Sequence, residues 1–206
     1  MVVGAAVARS GHGLDRPSGF LDDPWVSGEI WLITGAQASG KSTVAELLAL
    51  EFERGVHVRG GQFYRWAVRG WVHFDGEDKS EARRLLELRY RLSAIVTAEY
   101  ADAGFVTVVQ DNIYGADVVA WLELVSPRQR RLVVLRPSVD VVRTRDAARQ
   151  AGSGKVAYRD GYTPALNDAA VATTPAGFGL WLDTSRQTPQ ETVAEILARR
   201  EEADVR

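Results

Sequence analysis

The chain has 206 residues, a formal net charge of −2 and a pI near 6.0, with 46% hydrophobic and 25% charged residues. This composition is ordinary for a globular domain, and it lacks the basic surplus of proteins that bind nucleic-acid backbones, so we expect no nucleic-acid partner. The absence of cysteine excludes disulfides, thiolate metal sites and cysteine nucleophiles, and it agrees with an expected cytoplasmic location.

The N-terminal region is predicted to be a tail rather than part of the domain. Residues 1–23 are mildly apolar at first and then rich in Gly, Ser, His, Asp and Pro, which predicts a flexible tail. Residues 24–206 are then expected to form one domain. Because no stretch of the sequence approaches the length of a membrane helix, we expect no membrane partner.

The first half of this domain alternates between strand and helix patterns. The apolar run 30–33 predicts a buried strand that ends at Thr34-Gly35. A helix is predicted from Lys41 to about Phe52, and a second strand at 55–59 is halted by Gly60-Gly61.

The strongest helix signal follows at 80–103, with Gly104 placed as a C-terminal cap. Apolar residues recur there at helical spacing, namely Leu85, Leu88, Leu92, Ile95 and Val96. A third strand is predicted at 105–109, ending in Gln110-Asp111, and a helix at about 116–124.

The second half repeats the alternation. It predicts a fourth strand at 132–135, a helix capped by Ser138 to about Ala151, a mobile segment at 152–162, and a fifth strand at 180–183. A last helix starts at Thr188, which has Pro189 and Glu191 at the spacing of a capping box. Strands that alternate with helices predict an α/β fold, in which helices cover both faces of a parallel sheet.

One motif between the first strand and the first helix carries specific chemistry. It is the P-loop pattern, Gly-x4-Gly-Lys-Ser, and it reads Gly35-Ala36-Gln37-Ala38-Ser39-Gly40-Lys41-Ser42. The two glycines let the backbone turn its N–H groups toward phosphates, and the helix that follows adds the positive end of its dipole. The sequence therefore predicts a nucleotide-binding site.

The roles within this motif follow from the residue types. Lys41 can reach the β- and γ-phosphates of ATP, the Ser42 hydroxyl can ligate Mg²⁺, and Thr43 is an expected contact to the α-phosphate. A GTPase would need an Asn/Thr-Lys-x-Asp stretch, which is absent from the sequence, and Asn112 stands where an AAA-type motor would have a second acid.

At this point the chain resembles a family. The P-loop, Asp111 after the third strand, Arg145 and Arg149 in the fourth long helix, and the stretches 180–185 and 188–193 are similar to small P-loop phosphotransferases. These include the chloramphenicol phosphotransferase-like kinases and, more distantly, the gluconate, shikimate and adenylylsulfate kinases. The similarity runs from about Glu29 to Arg199.

The resemblance implies a P-loop NTPase fold with five parallel strands in the order 2-3-1-4-5. It also implies a lid at about 152–162 that closes over ATP, and an adenine site near 184–189. A carboxylate that orients or deprotonates the acceptor hydroxyl is expected in such kinases, and Asp111 is the best candidate, with Mg²⁺ binding through water as its alternative role.

Four arginine and lysine residues could neutralise charge on the transferred phosphoryl group. Arg145 and Arg149 are four residues apart and so share one helix face beside the lid, whereas Lys155 and Arg159 lie within it. The alternative interpretation of each is a solvated surface residue.

The acceptor site carries one departure from the family pattern. Gly61 stands where kinases of this kind place an aspartate, and glycine cannot take a proton. An aromatic segment follows, whose candidates for acceptor binding are Arg65, Trp66 and Trp71; packing in the core is the alternative for the aromatic residues.

Two functions from different classes remain open. The first is an ATP-dependent kinase that phosphorylates a hydroxyl of a small organic molecule, such as an antibiotic or another metabolite. The second, suggested by Gly61, is a degenerate kinase that binds ATP and regulates a partner. A kinase of nucleic-acid ends is disfavoured by the charge balance.

Overall fold

The computed structural model describes residues 28–70, 72, 78–154, 157–158 and 161–205. The predicted tail at 1–23 lies outside them, as do Trp71, Lys155 and Arg159. The strands are β1 Ile30–Gly35, β2 Gly55–Arg59, β3 Val106–Gln110, β4 Arg130–Leu135, β5 Leu180–Leu182 and β6 Asp204–Val205. The helices are α1 Lys41–Leu50, α2 Gln62–Arg65, α3 Lys79–Asp102, α4 Ala116–Leu124, α5 Val139–Ser153, α6 Pro164–Ala172 and α7 Pro189–Ala198, followed by a 3-10 turn at Arg200–Ala203.

The sheet has the predicted strand order. Strands β2-β3-β1-β4-β5 are hydrogen-bonded neighbours and all run parallel, which confirms the expected α/β class and the order 2-3-1-4-5. The short strand β6 was not predicted, and it pairs antiparallel with the start of β4. The carboxyl ends of β1 and β3 therefore lie side by side at one edge of the sheet.

The central strand β1 divides the core between the two faces of the sheet. Its side chains alternate, so that Ile30 and Leu32 join one buried cluster, whereas Trp31 and Ile33 join the other. All four are completely buried. This continuous apolar run is typical of a parallel strand with helices on both faces.

Helix α3 exists where it was predicted, but it buries a different face. Leu88 and Ile95 are 38% and 58% exposed, so the stripe expected from the apolar residues is wrong at these positions. The buried side of the helix is instead partly polar, and it includes Arg89, Ser93 and Thr97. Ser93 accepts a hydrogen bond from the indole N–H of Trp121 at 2.9 Å, which binds α3 to α4.

Helices α5, α6 and α7 begin at side-chain caps. The capping box predicted at Thr188 and Glu191 is confirmed. Helix α6 was not predicted, although Thr163 caps it and Pro164 occupies its first turn, a pattern that is visible in the sequence. None of the described helices combines the length and the apolar character that a membrane crossing would require.

One partly buried histidine in β2 links stability to pH. Burial, with a smaller contribution from Arg59, lowers the pKa of His57 to about 4, and Glu46 opposes the shift. An unfolded histidine has a pKa of about 6.5, so the unfolded chain takes up this proton first as the pH falls. Stability due to His57 is therefore fully present above pH 6.5 and decreases as the pH falls toward 4.

We predict that the free energy of unfolding falls by about 1 kcal/mol between pH 7 and pH 5, after allowance for partial solvation of the ring. Urea denaturation of the wild-type chain and of His57→Gln at both pH values measures this loss. The variant, which has no titrating ring, should lose clearly less. Equal losses in the two proteins would show that His57 is not the cause.

Candidate active site

The phosphate loop joins β1 to α1, as the sequence predicts. Its backbone has positive φ angles at three residues, 137° at Gly35, 61° at Ala38 and 99° at Gly40. A Cβ atom at Gly35 would clash with the carbonyl oxygen of Leu135, because β4 runs directly beside the loop. Glycine is therefore required at this position both for its φ angle and for the close approach of a neighbouring strand.

Lys41 begins α1 and folds back over the loop. Its ammonium group donates to the carbonyl oxygens of Gly35 at 2.7 Å and Ala36 at 2.6 Å, and the residue is buried. Burial lowers the pKa of Lys41 to about 7, with smaller contributions from the positive charges of Arg149 and Arg89. Negative phosphate groups beside the ammonium would oppose these effects and favour its charged form.

A cavity of about 480 Å³ opens over the loop. Ser42 and Thr43 are exposed at its surface, so their hydroxyls are accessible to a ligand. Gly35 and Ala36 are buried behind the cavity, whereas the other predicted loop residues line it. Its lining is Gln37, Ala38, Ser39, Gly40, Lys41, Ser42, Thr43, Val44, Gln110, Asn112, Arg145, Arg149, Thr184, Gln187, Pro189 and Thr192.

Both predicted arginines of α5 face this cavity. Arg145 donates to the carbonyl oxygens of Ser39 at 3.0 Å and Thr184 at 2.8 Å, so it connects the phosphate loop with the segment after β5. Burial lowers the pKa of Arg145 from its usual value. Arg149 pairs with Asp146 one turn earlier on the same helix. The structure thus brings two cationic groups and Lys41 to a single cavity.

Several buried polar atoms around the cavity have no hydrogen-bond partner among the described residues. They are the Ser39 hydroxyl, the Thr184 hydroxyl and the Arg149 Nε–H group. All three residues line the cavity. Because buried polar groups are normally paired, three unpaired groups around one cavity fit a polar ligand that would bond to them. Hydroxyl and guanidinium donors suit phosphate oxygens, so the lining fits a ligand that carries phosphate groups.

Asp111 lies at the end of β3, but its carboxylate faces away from solvent and is 3% exposed. Arg89 from α3 forms an ion pair with it, and its Nε–H donates to Oδ2 at 3.0 Å. The backbone N–H of Asn112 donates to Oδ1 at 2.7 Å. The flanking residues Gln110 and Asn112 line the cavity, whereas Asp111 does not. The sequence analysis missed Arg89, since no local pattern marks an arginine that faces inward.

The ring of Tyr64 covers this ion pair. The Arg89 guanidinium lies over it, 4.5 Å from the ring centre, and over Tyr90 at 5.7 Å. Burial lowers the pKa of Arg89 from its usual value, and the neighbouring tyrosines oppose this effect. Removing one partner of a buried ion pair leaves the other as an unpaired buried charge. The resulting loss of stability is larger than the stability that the intact pair contributes.

The glycines after β2 have different surroundings. A Cβ atom at Gly60 would clash with the carboxylate of Asp111, whereas one at Gly61 would have no heavy atom within 4 Å. Gly61 also has an ordinary helical φ of −60°. Glycine is thus required at position 60 by the carboxylate of Asp111. Position 61, where the family resemblance implies an aspartate, has free space around a Cβ atom.

The predicted acceptor residues that the structure describes lie on the surface. Arg65 and Trp66 are exposed, the latter by 64%, and Trp66 packs edge-on against Phe63 with ring centres 5.0 Å apart. Trp71 lies outside the described residues. Neither Arg65 nor Trp66 lines the cavity over the phosphate loop, so their role in acceptor binding stays a prediction.

The adjacent glycines give a matched pair of substitutions. We predict that Gly60→Ala destabilises the fold by about 1–3 kcal/mol, because the methyl group must displace Asp111 or its strand. Gly61→Ala should change stability by at most about 0.5 kcal/mol, since its methyl group meets open space. Urea denaturation of both variants measures the difference. Similar values for the two would contradict the close approach of Gly60 to Asp111.

Known proteins resemble this chain in fold rather than in sequence. No protein-family model matches it, and neither does any curated protein sequence. The Mycobacterium tuberculosis APS kinase CysC in complex with AMPPNP and APS is similar with a TM-score of 0.60 and 22% identity, over 85% of this chain and 98% of that one. An unliganded sugar kinase from Janibacter has a TM-score of 0.57 and 20% identity, over 86% and 96%.

Shikimate kinase from Acinetobacter baumannii, in complex with shikimate, has a TM-score of 0.57 and 14% identity, over 84% of this chain and 92% of that one. These likenesses extend over nearly the whole of each known chain, and their low identities mean that they concern the fold. The resemblance predicted from the sequence is confirmed at that level. The chain has the fold of the P-loop kinases.

Proposed function

We propose that this protein is an ATP-dependent kinase that transfers the γ-phosphoryl group of ATP to a hydroxyl of a small organic molecule. The observation that carries the proposal is the single cavity lined by the phosphate loop, Lys41, Arg145 and Arg149. Phosphoryl transfer depends mainly on positioning and on neutralising charge, and this cavity offers both. The likeness to solved sugar and shikimate kinases supports a small-molecule acceptor by analogy of fold.

ATP would lie with its phosphates on residues 38–43 and its adenine near Gln187 and Pro189, which line the same cavity. The N-terminal turn of α1 supplies free N–H groups and a positive dipole end for the phosphates. Arg145 connects the phosphate loop with the segment after β5, because it bonds to both Ser39 and Thr184.

Mg²⁺, when bound, would neutralise phosphate charge and orient the phosphate oxygens. The exposed hydroxyl of Ser42 is the proposed protein ligand. Asp111 is the second proposed residue, acting on the metal through water or on the acceptor. Its support is its position between Gln110 and Asn112, which line the cavity, although its oxygens already accept hydrogen bonds from Arg89 and Asn112.

Lys41, Arg145 and Arg149 would stabilise the transition state, since negative charge spreads over the transferred group. Arg149 carries a buried Nε–H group without a partner among the described residues, so a bound phosphate could satisfy it. The acceptor is proposed to enter beside Gly61, Arg65 and Trp66, where α2 follows the carboxyl end of β2.

We predict that a metabolite extract incubated with ATP, Mg²⁺ and the wild-type chain contains one compound that gains a phosphoryl group. Lys41→Ala should abolish this product, because the cavity loses its buried ammonium. Lys79→Ala is the matched control, since Lys79 begins α3 and does not line the cavity. Mass spectrometry detects the mass gain. A product that persists undiminished in Lys41→Ala would contradict the proposed site.

A degenerate, nucleotide-binding regulator is the second candidate. Two observations favour it: Gly61 replaces the expected aspartate, and Asp111 is already paired with Arg89. Binding of ATP by the wild-type chain without any product across a broad metabolite panel would support this function over the kinase.

Gly61→Asp separates these possibilities further, because a Cβ atom at Gly61 would meet no heavy atom within 4 Å. We predict that Gly61→Asp binds ATP as well as the wild-type chain does, and that any transfer to a hydroxyl becomes faster. The same extract assay measures the rate. Slower transfer in this variant would show that a carboxylate at position 61 does not help the reaction.

A further inference from the structure

Three polar side chains from other elements hold the first half of the phosphate loop. Tyr114 precedes α4, Tyr158 follows α5, and Asn167 lies in α6; together they form what we call the clamp. Asn167 is completely buried, and its Oδ1 accepts from the backbone N–H of Gln37 at 2.7 Å. The hydroxyl of Tyr158 donates to the carbonyl oxygen of the same Gln37 at 2.7 Å. Both backbone groups of Gln37 are therefore bonded to the clamp.

The hydrogen bonds within the clamp are mutually consistent. The Nδ2 group of Asn167 donates to the hydroxyl of Tyr114 at 3.1 Å, and that hydroxyl donates to the carbonyl oxygen of Gly35 at 3.1 Å. The Tyr158 hydroxyl also lies 3.2 Å from Oδ1 of Asn167, but its contact with the carbonyl oxygen of Gln37 is shorter, so each hydroxyl directs its single proton to a loop carbonyl. Burial raises the pKa of Tyr114 and of Tyr158, so both hydroxyls stay protonated donors at neutral pH.

Helix α6, which carries Asn167, is itself anchored at other points. Asp168, the next residue, accepts two hydrogen bonds from Arg136 after β4, at 2.7 and 2.9 Å. Just after the helix ends at Ala172, the hydroxyl of Thr174 accepts from the backbone N–H of Gly115 at 3.0 Å. These contacts fix α6 against the segment that also holds Tyr114, so Asn167 and Tyr114 lie on two elements that are bonded to each other.

The clamp and Lys41 act on the same part of the loop. Lys41 bonds to the carbonyl oxygens of Gly35 and Ala36, and the clamp bonds to Gly35 and Gln37. The second half of the loop instead leads into the first turn of α1. Since the P-loop lysine reaches the β- and γ-phosphates, the first half borders the terminal phosphate. Gln37 is one of the residues that line the cavity.

We propose that Asn167 and Tyr158 are positioning residues that hold Gln37 so that the site prefers ATP over ADP. The inference rests on the proposed function, because it requires that the cavity bind a nucleoside triphosphate. Loss of the clamp leaves the N–H and the carbonyl group of Gln37 without their partners, so this residue must move or bind water. Contacts near the terminal phosphate are then lost, whereas those of residues 39–43 remain.

Isothermal titration of the full chain with Mg²⁺-AMPPNP and Mg²⁺-ADP tests the inference. We expect Asn167→Ala to weaken AMPPNP binding about tenfold, and Tyr158→Phe about threefold, while ADP binding changes less than about twofold. Leu166→Ala is the matched control: Leu166 lies beside Asn167 on α6, its side chain is 55% exposed and it does not line the cavity, so both affinities should stay unchanged.

The ratio of the two affinities separates positioning from general support of the fold. The inference would be overturned if Asn167→Ala and Tyr158→Phe left the ratio of AMPPNP to ADP affinity unchanged, whether both affinities fell equally or neither fell. Tyr158→Phe removes only one hydroxyl group, so its result stands even if Asn167→Ala does not fold. A wild-type chain that binds neither nucleotide would overturn the proposed function and this inference together, whereas normal binding with an unchanged ratio in the variants would overturn the inference alone.

Discussion

The phosphate loop is held in place through its carbonyl oxygens. Gly35 accepts hydrogen bonds from Lys41 and Tyr114, Gln37 accepts one from Tyr158, and Ser39 accepts one from Arg145. A loop with positive φ angles at three residues has no regular pattern of backbone hydrogen bonds. Donors from other elements must therefore bond to its carbonyl oxygens. These donors come from α1, from the segment before α4, from α5 and from the segment after it, so four parts of the chain meet at this loop.

The same edge contains a second constraint, the buried pair of Asp111 and Arg89. The pair explains why residue 60 is a glycine, since a Cβ atom at this position would collide with the carboxylate of Asp111. It also explains why α3 turns a polar face inward, against the apolar pattern of its sequence. The position of the Asp111 carboxylate depends on Arg89, so the two residues form one unit, and a role of Asp111 toward Mg²⁺ through water or toward the acceptor stays a prediction.

Much of the fold could be predicted because the signals are local. The apolar run of β1, the glycines that end strands, and the capping box at Thr188 each lie within a few residues of the structure that they specify. The error in α3 has the opposite origin. Leu88 and Ile95 have the spacing of a buried stripe, but packing against Asp111 and Trp121 rotates Arg89 and Ser93 inward instead. Tertiary contacts can override helical periodicity in this way.

The sequence by itself determined the phosphate loop, its place between strand and helix, and the strand–helix alternation of the sheet, because residues adjacent in the chain impose these features on the backbone. The partners that complete the site were decided only by the tertiary structure. Gln37 meets Asn167 across 130 positions, and Asp111 meets Arg89 across 22. No local pattern encodes such pairs, since a side-chain hydrogen bond depends on where the packing of the sheet and helices brings distant residues together.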